Sequence, residues 1–79
     1  MNERRPRKRS LTLHGHRTSV SLEDAFWNAF RDIAHERDLS INRLAESIDD
    51  SRGTEAGLAG AIRLFVLAHY RDRARTKIR

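Results

Sequence analysis

Arg17-Thr18-Ser19-Val20-Ser21-Leu22 runs straight into Glu23-Asp24-Ala25-Phe26-Trp27. Apolar and polar residues alternate over the first six positions, the period of a half-buried strand. From Glu23 onward the apolar residues return every three or four positions, the period of a helix lying on a core. No linker separates the two. A single short strand leaves its backbone N–H and C=O groups without partners, so this one predicts a second copy of itself from another molecule. Its polar row, Arg17, Ser19 and Ser21, carries the donor-rich side chains that a two-stranded ribbon needs to read base edges in a DNA major groove.

Upstream of that stretch the pattern changes parity. Leu11 and Leu13 stand at odd positions, Val20 and Leu22 at even ones. One regular strand cannot bury both sets, because a one-residue shift exchanges its faces. Gly15 is the natural reset, as a bulge or as a tight turn between two short strands. The expectation is a strand over 16–22 with a looser extended piece at 10–14. Residues 1–9 contain Arg4, Arg5, Arg7, Lys8 and Arg9 and no apolar anchor beyond Met1, which reads as a disordered basic arm.

Downstream, Phe26, Phe30, Ile33 and Arg37 share one helical face that Trp27 and Ala34 widen, predicting a helix over 23–37. Ser21-x-x-Asp24 fits a capping box at its start, with Asp in the place more often held by Glu. The helix should stop near Asp38, in a left-handed conformation that Asp tolerates better than most residues. Ser40 is a good N-cap for a second helix over 41–49, with Ile41, Leu44, Ala45 and Ile48 on one face. Asp49-Asp50-Ser51-Arg52-Gly53 breaks it, since acids at a helix C-terminus oppose the macrodipole. Thr54 can cap a third helix over 55–74. Its run from Leu64 to Ala68 leaves little polar face, and Gly57, Ala59 and Gly60 would admit another backbone, so it is expected in a subunit interface. Residues 71–79 read as a fraying basic tail.

Charge is distributed unevenly. Residues 1–17 carry six Arg or Lys against one Glu, and residues 71–79 five against one Asp, while the stretch between carries nine acids against five Arg. Basic ends on an acidic body point first to nucleic acid. A membrane surface fits less well, because the arm 1–9 and the tail 71–79 hold no aromatic or large apolar residue apart from Met1 and Ile78. Cys is absent, so there is no disulfide framework or thiolate metal site, and His14-x-His16 without acidic company is a poor metal signal. No phosphate-binding Gly loop, paired carboxylate or nucleophile motif is present, which argues against an enzyme and names no cofactor.

The order of basic arm, alternating strand, amphipathic helix and Ser-capped second helix resembles the ribbon-helix-helix superfamily of Arc and the methionine repressor. The resemblance rests on Arg17-Thr18-Ser19-Val20-Ser21-Leu22-Glu23, Phe30-x-x-Ile33-Ala34-x-x-Arg37 and Asp38-Leu39-Ser40. It implies a mostly α fold with one short strand per chain and an extra C-terminal helix. Two such chains would intertwine as a homodimer around a two-stranded antiparallel ribbon, in a domain covering residues 10–70. It also implies sequence-specific double-stranded DNA binding by a cytoplasmic, nucleoid-associated transcriptional regulator. Arg17, Ser19 and Ser21 would contact bases. Arg4, Arg5, Arg7, Lys8 and Arg9, with Ser40, Ile41 and Asn42 at a helix N-terminus, would contact the DNA backbone. The 49–53 break departs from the usual single long second helix, and Gly57-Leu58-Ala59-Gly60-Ala61-Ile62-Arg63 also fits that pattern. Thr54 and Glu55 are therefore the alternative phosphate-gripping end. The rival function is an antitoxin-type protein that binds a partner protein and regulates its own gene.

Overall fold

The computed structural model describes residues 4–53 and 57–78. Two antiparallel strands, β1 (Arg7–Leu13) and β2 (His16–Leu22), are followed by helices α1 (Asp24–Glu36), α2 (Ile41–Ser51) and α3 (Leu58–Ile78). The fold is therefore mostly α with a hairpin, not with a single strand. Of the two roles open to Gly15, the tight turn is the one observed. His14 and Gly15 both have positive φ, 51° and 81°, as the two-residue turns that match strand twist require. Arg7 pairs with Leu22 at one end of the ladder and Leu13 with His16 at the other.

The turn resolves the parity change. Because two residues separate Leu13 from His16, odd positions before it and even positions after it fall on one face. Leu11, Leu13, Val20 and Leu22 are all buried there. Residues 7–9, expected in a disordered arm, are strand; of the looser piece expected at 10–14, residues 10–13 are the rest of it and His14 belongs to the turn. β2 accordingly finds its ladder partner inside its own chain, which corrects the inference that an orphaned strand demands a second molecule.

Helix α1, packed on α2 and α3, buries Phe30, Ile33 and Ala34 in the cluster shared with the strands, close to the predicted stripe. Its N-cap is Glu23, without a side-chain cap bond, and not Ser21. Ser21 is still in the ladder, opposite Lys8, so its hydroxyl is not used as a cap. The other end closes as expected at Asp38, with φ 62°. There the Asp38 N–H donates to His35 O at 3.1 Å and the Leu39 N–H to Ala34 O at 2.9 Å, the paired bonds of a Schellman turn.

Helix α2 begins where expected, with Ser40 Oγ accepting from the Arg43 N–H at 3.1 Å. It continues through Asp49 and Asp50 to Ser51, because Arg52 Nε binds Asp49 Oδ1 at 2.7 Å and offsets the acid. Gly53, at φ 77°, then turns the chain. Thr54 and Glu55, the alternative helix start, lie outside the described residues.

Helix α3 places Ile62 and Val66 in the chain's own core and Phe65 edge-on to Phe30, with ring centroids 6.3 Å apart. Leu64 and Leu67 remain outside, 65% and 51% exposed. Among the described residues nothing outside α3 approaches Gly57 or Gly60 closely, so the small residues admit no other described backbone of the same chain. Residues 71–78, expected to fray, are helical. Arg73 holds Glu36 of α1 through both guanidinium nitrogens, at 3.2 and 3.0 Å, which ties this end down. The α3 helix is not apolar enough to cross a membrane.

A Cβ at Gly15 would meet no atom within 4 Å, so its replacement isolates the backbone cost of positive φ. Gly15→Ala is expected to destabilise the fold by about 1–2 kcal/mol in urea unfolding. An unchanged midpoint would mean that the turn does not form.

Candidate nucleic-acid interface

Alternation in a hairpin sorts side chains into two populations. One face of this sheet meets the helices. The other carries Lys8, Ser10 and Thr12 from β1 and Arg17, Ser19 and Ser21 from β2, all exposed. They sit side by side as three rungs, Lys8 with Ser21, Ser10 with Ser19 and Thr12 with Arg17. A two-residue turn makes these the rungs without mutual backbone bonds, in which Cα atoms approach to about 4.5 Å and side chains lie close together. Among the described residues, none of the six side chains is engaged in a hydrogen bond or ion pair within the chain. The row thus presents two cations and four hydroxyls, with no acid among them.

The face is held from three sides. Side chains one turn apart along α2 bind the outer edge of β1: the Thr12 N–H donates to Asn42 Oδ1 at 3.1 Å and the His14 N–H to Glu46 Oε2 at 2.8 Å. One turn further, Asp50 Oδ1 meets His14 Nε2 at 2.9 Å. At the open end of the hairpin the Arg9 guanidinium binds Asp24 and donates to Leu22 O at 3.2 Å, stacked 5.3 Å from the Trp27 ring. Along β2, Arg63 binds Glu23 at 3.0 and 3.2 Å and reaches Ser21 O at 3.4 Å. The Arg63 hydrogen bond holds the Glu23 carboxyl below the usual carboxylate range.

Of the residues expected to meet bases, Arg17, Ser19 and Ser21 are brought together on the outward row. Of those expected at the DNA backbone, Lys8 joins them, and Arg4 and Arg5 lie exposed just before β1. Arg7 and Arg9 turn the other way. Arg7 Nε lies 4.0 Å from Asp24 and Arg9 is half-buried against it, so neither stands on the face that bears Arg17. Ser40, Ile41 and Asn42 open α2 beside β1. Ser40 caps the helix and the Asn42 amide is committed to Thr12, while the Ile41 and Asn42 N–H groups have no partner among the described residues.

Ser10 and Thr12 were missed as members of the row. The signal for them was the parity change itself: reading it as a turn puts even positions before Gly15 on the same face as odd positions after it. The α2 stripe of Asn42, Glu46 and Asp50 was equally visible as i, i+4, i+8 spacing.

The family model for the ribbon-helix-helix domain matches residues 6–70. The chain therefore belongs to that family, which is in general one of DNA-binding regulators acting as dimers. No curated protein and no solved structure matches it.

The Asp50 hydrogen bond, reinforced by the charges of Asp50, Glu46 and Asp49, raises the His14 pKa above the usual imidazole value. A raised folded-state pKa stabilises the fold below the unfolded value, and that contribution disappears as pH climbs through the folded one. Urea midpoints of the wild type should therefore fall as the pH is raised above 6.5, the ordinary imidazole value. In Asp50→Asn the decline should be shallower; an identical slope would mean that the His14–Asp50 contact does not persist in solution.

Proposed function

We propose that this ribbon-helix-helix chain is a homodimeric, sequence-specific double-stranded DNA-binding protein that regulates transcription on the nucleoid. The observation that carries the reading is the outward row of six polar side chains, exposed and without partners among the described residues, on the strand pair of a family that in general binds DNA. Arg17 is the principal reader. Its guanidinium can take guanine O6 and N7 together, a contact that discriminates by about 1–3 kcal/mol, whereas Ser19 and Ser21 accept either kind of base edge.

Dimerisation is favoured by the remaining edge of β2. The backbone groups of His16, Thr18, Val20 and Leu22 face β1, so those of Arg17, Ser19 and Ser21 point away from it, and of these only the Ser21 carbonyl is taken, by Arg63. An open edge of this kind is a template for a second strand. Two copies joined there, around a two-fold axis near Ser19, form a four-stranded antiparallel sheet with a continuous outward face. Beneath the same edge, His16 and Thr18 lie exposed beside a cleft of about 360 Å³ that the chain's own helices leave open. A second copy would cover it. The free N–H groups of Ile41 and Asn42, together with Arg4, Arg5 and Lys8, suit phosphate oxygens at the flanks.

Two substitutions test this. Arg17→Ala should abolish preference for a duplex that the wild type selects from a random pool, leaving the dimer and weak general binding intact. Retained preference would remove Arg17 from the reading. Ser19→Pro deletes an N–H that faces away from β1, a place where an edge strand tolerates proline. It should leave the circular-dichroism spectrum unchanged yet sediment as a monomer that no longer binds its site. A persistent dimer would put the seam elsewhere.

A further inference from the structure

In the proposed dimer, β1 does not enter the groove beside β2. We infer that its outward residues, Lys8, Ser10 and Thr12, form a phosphate-contacting row on each flank of the base-reading strands. This rests on the dimer through the β2 edge. Strands in a sheet stand about 4.8 Å apart. With the two β2 strands astride the two-fold axis, each β1 strand runs about 7 Å from it. The major groove is about 12 Å wide, so its walls stand about 6 Å from the same axis. The central pair fits between the walls and β1 falls over them.

The chemistry of the row agrees with that position. Lys8 supplies a compact point charge, and the Ser10 and Thr12 hydroxyls donate hydrogen bonds to phosphate oxygens. None of the three has a hydrogen-bonding side-chain partner among the described residues, and no carboxylate shares the outward face. The acids nearest the hairpin are turned elsewhere: Asp24 toward Arg9, Glu46 toward the His14 N–H and Asp50 toward the His14 ring. Position is fixed as well as chemistry. The outer edge of β1 is bound to α2 at Thr12 and His14, so the strand can neither slide nor recruit a further neighbour there.

The test is selection of bound duplexes from a random pool, followed by titration of the selected and an unrelated duplex across salt concentrations. Wild type is compared with the triple variant Lys8→Gln, Ser10→Ala, Thr12→Val. The triple variant should select the same motif and lose about tenfold or more on both duplexes alike. Lys8→Gln alone should flatten the log–log salt slope by about 0.9 per subunit. Lys8→Arg, Ser10→Thr and Thr12→Ser together should restore binding. A changed motif would overturn the inference by making β1 a base reader, and unchanged affinity would overturn it by leaving the row without a contact. Should the triple variant lose helicity, the three single variants carry the same comparison. A wild type that selects no symmetric motif defeats the dimer reading beneath; a wild type that selects one, with the variants indistinguishable from it, defeats the β1 row alone.

Discussion

The burial of Leu11, Leu13, Val20 and Leu22 on one side of a two-stranded sheet is the constraint from which the remaining architecture follows. These four side chains are set against Phe30 and Ile33 of α1, Leu44 and Ile48 of α2, and Ile62 and Val66 of α3. A slip of one residue in either strand would expose its Leu or Val and bury hydroxyls and a cation in their stead. Register, and with it the composition of the solvent-facing row, is therefore dictated by the core. Any recognition surface on the hairpin inherits its accuracy from packing beneath it.

The same alternation divides the N-terminal cations into two kinds. Arg7 and Arg9 sit on the inner side, where Asp24, the Leu22 carbonyl and the Trp27 ring receive them. They close the open end of the sheet over the start of α1. Lys8 and Arg17 project to solvent from the opposite side. Within Arg7-Lys8-Arg9, a run that looks uniform in composition thus does two jobs, structural at its odd positions and surface charge at its even one. Arg63 and Arg37 act likewise, each pairing a guanidinium with an aromatic ring, Phe26 at 5.9 Å and Phe65 at 5.0 Å.

Much of this was legible in the sequence and some was not, for identifiable reasons. Apolar spacing located α1 and α2, and Ser40 marked the start of the second helix because a hydroxyl cap is a local interaction. Asp38 announced a left-handed residue for the same reason. The first three residues of β1 were hidden because Arg7, Lys8 and Arg9 offer no hydrophobic signal; what orders Arg9 is an acid and an indole many positions away. Ser21 read as a cap because the local pattern fits one, yet its ladder position opposite Lys8 already assigns it to the strand. Asp49 and Asp50 suggested an early stop, and Arg52 three residues after the first of them removes the penalty. Ser10 and Thr12 joined the candidate surface only once the chain was seen to fold back at Gly15.

A strand pair made within one polypeptide also separates folding from association. The ladder, the turn and the buried cluster beneath them are all contributed by a single copy, so their formation is a first-order process that needs no bimolecular encounter. In the dimer proposed above, pairing at the β2 edge is then a distinct equilibrium, governed by how much protein is present. Occupancy of a binding site would respond to abundance more steeply than in proportion, while the structural integrity of each copy stayed the same throughout.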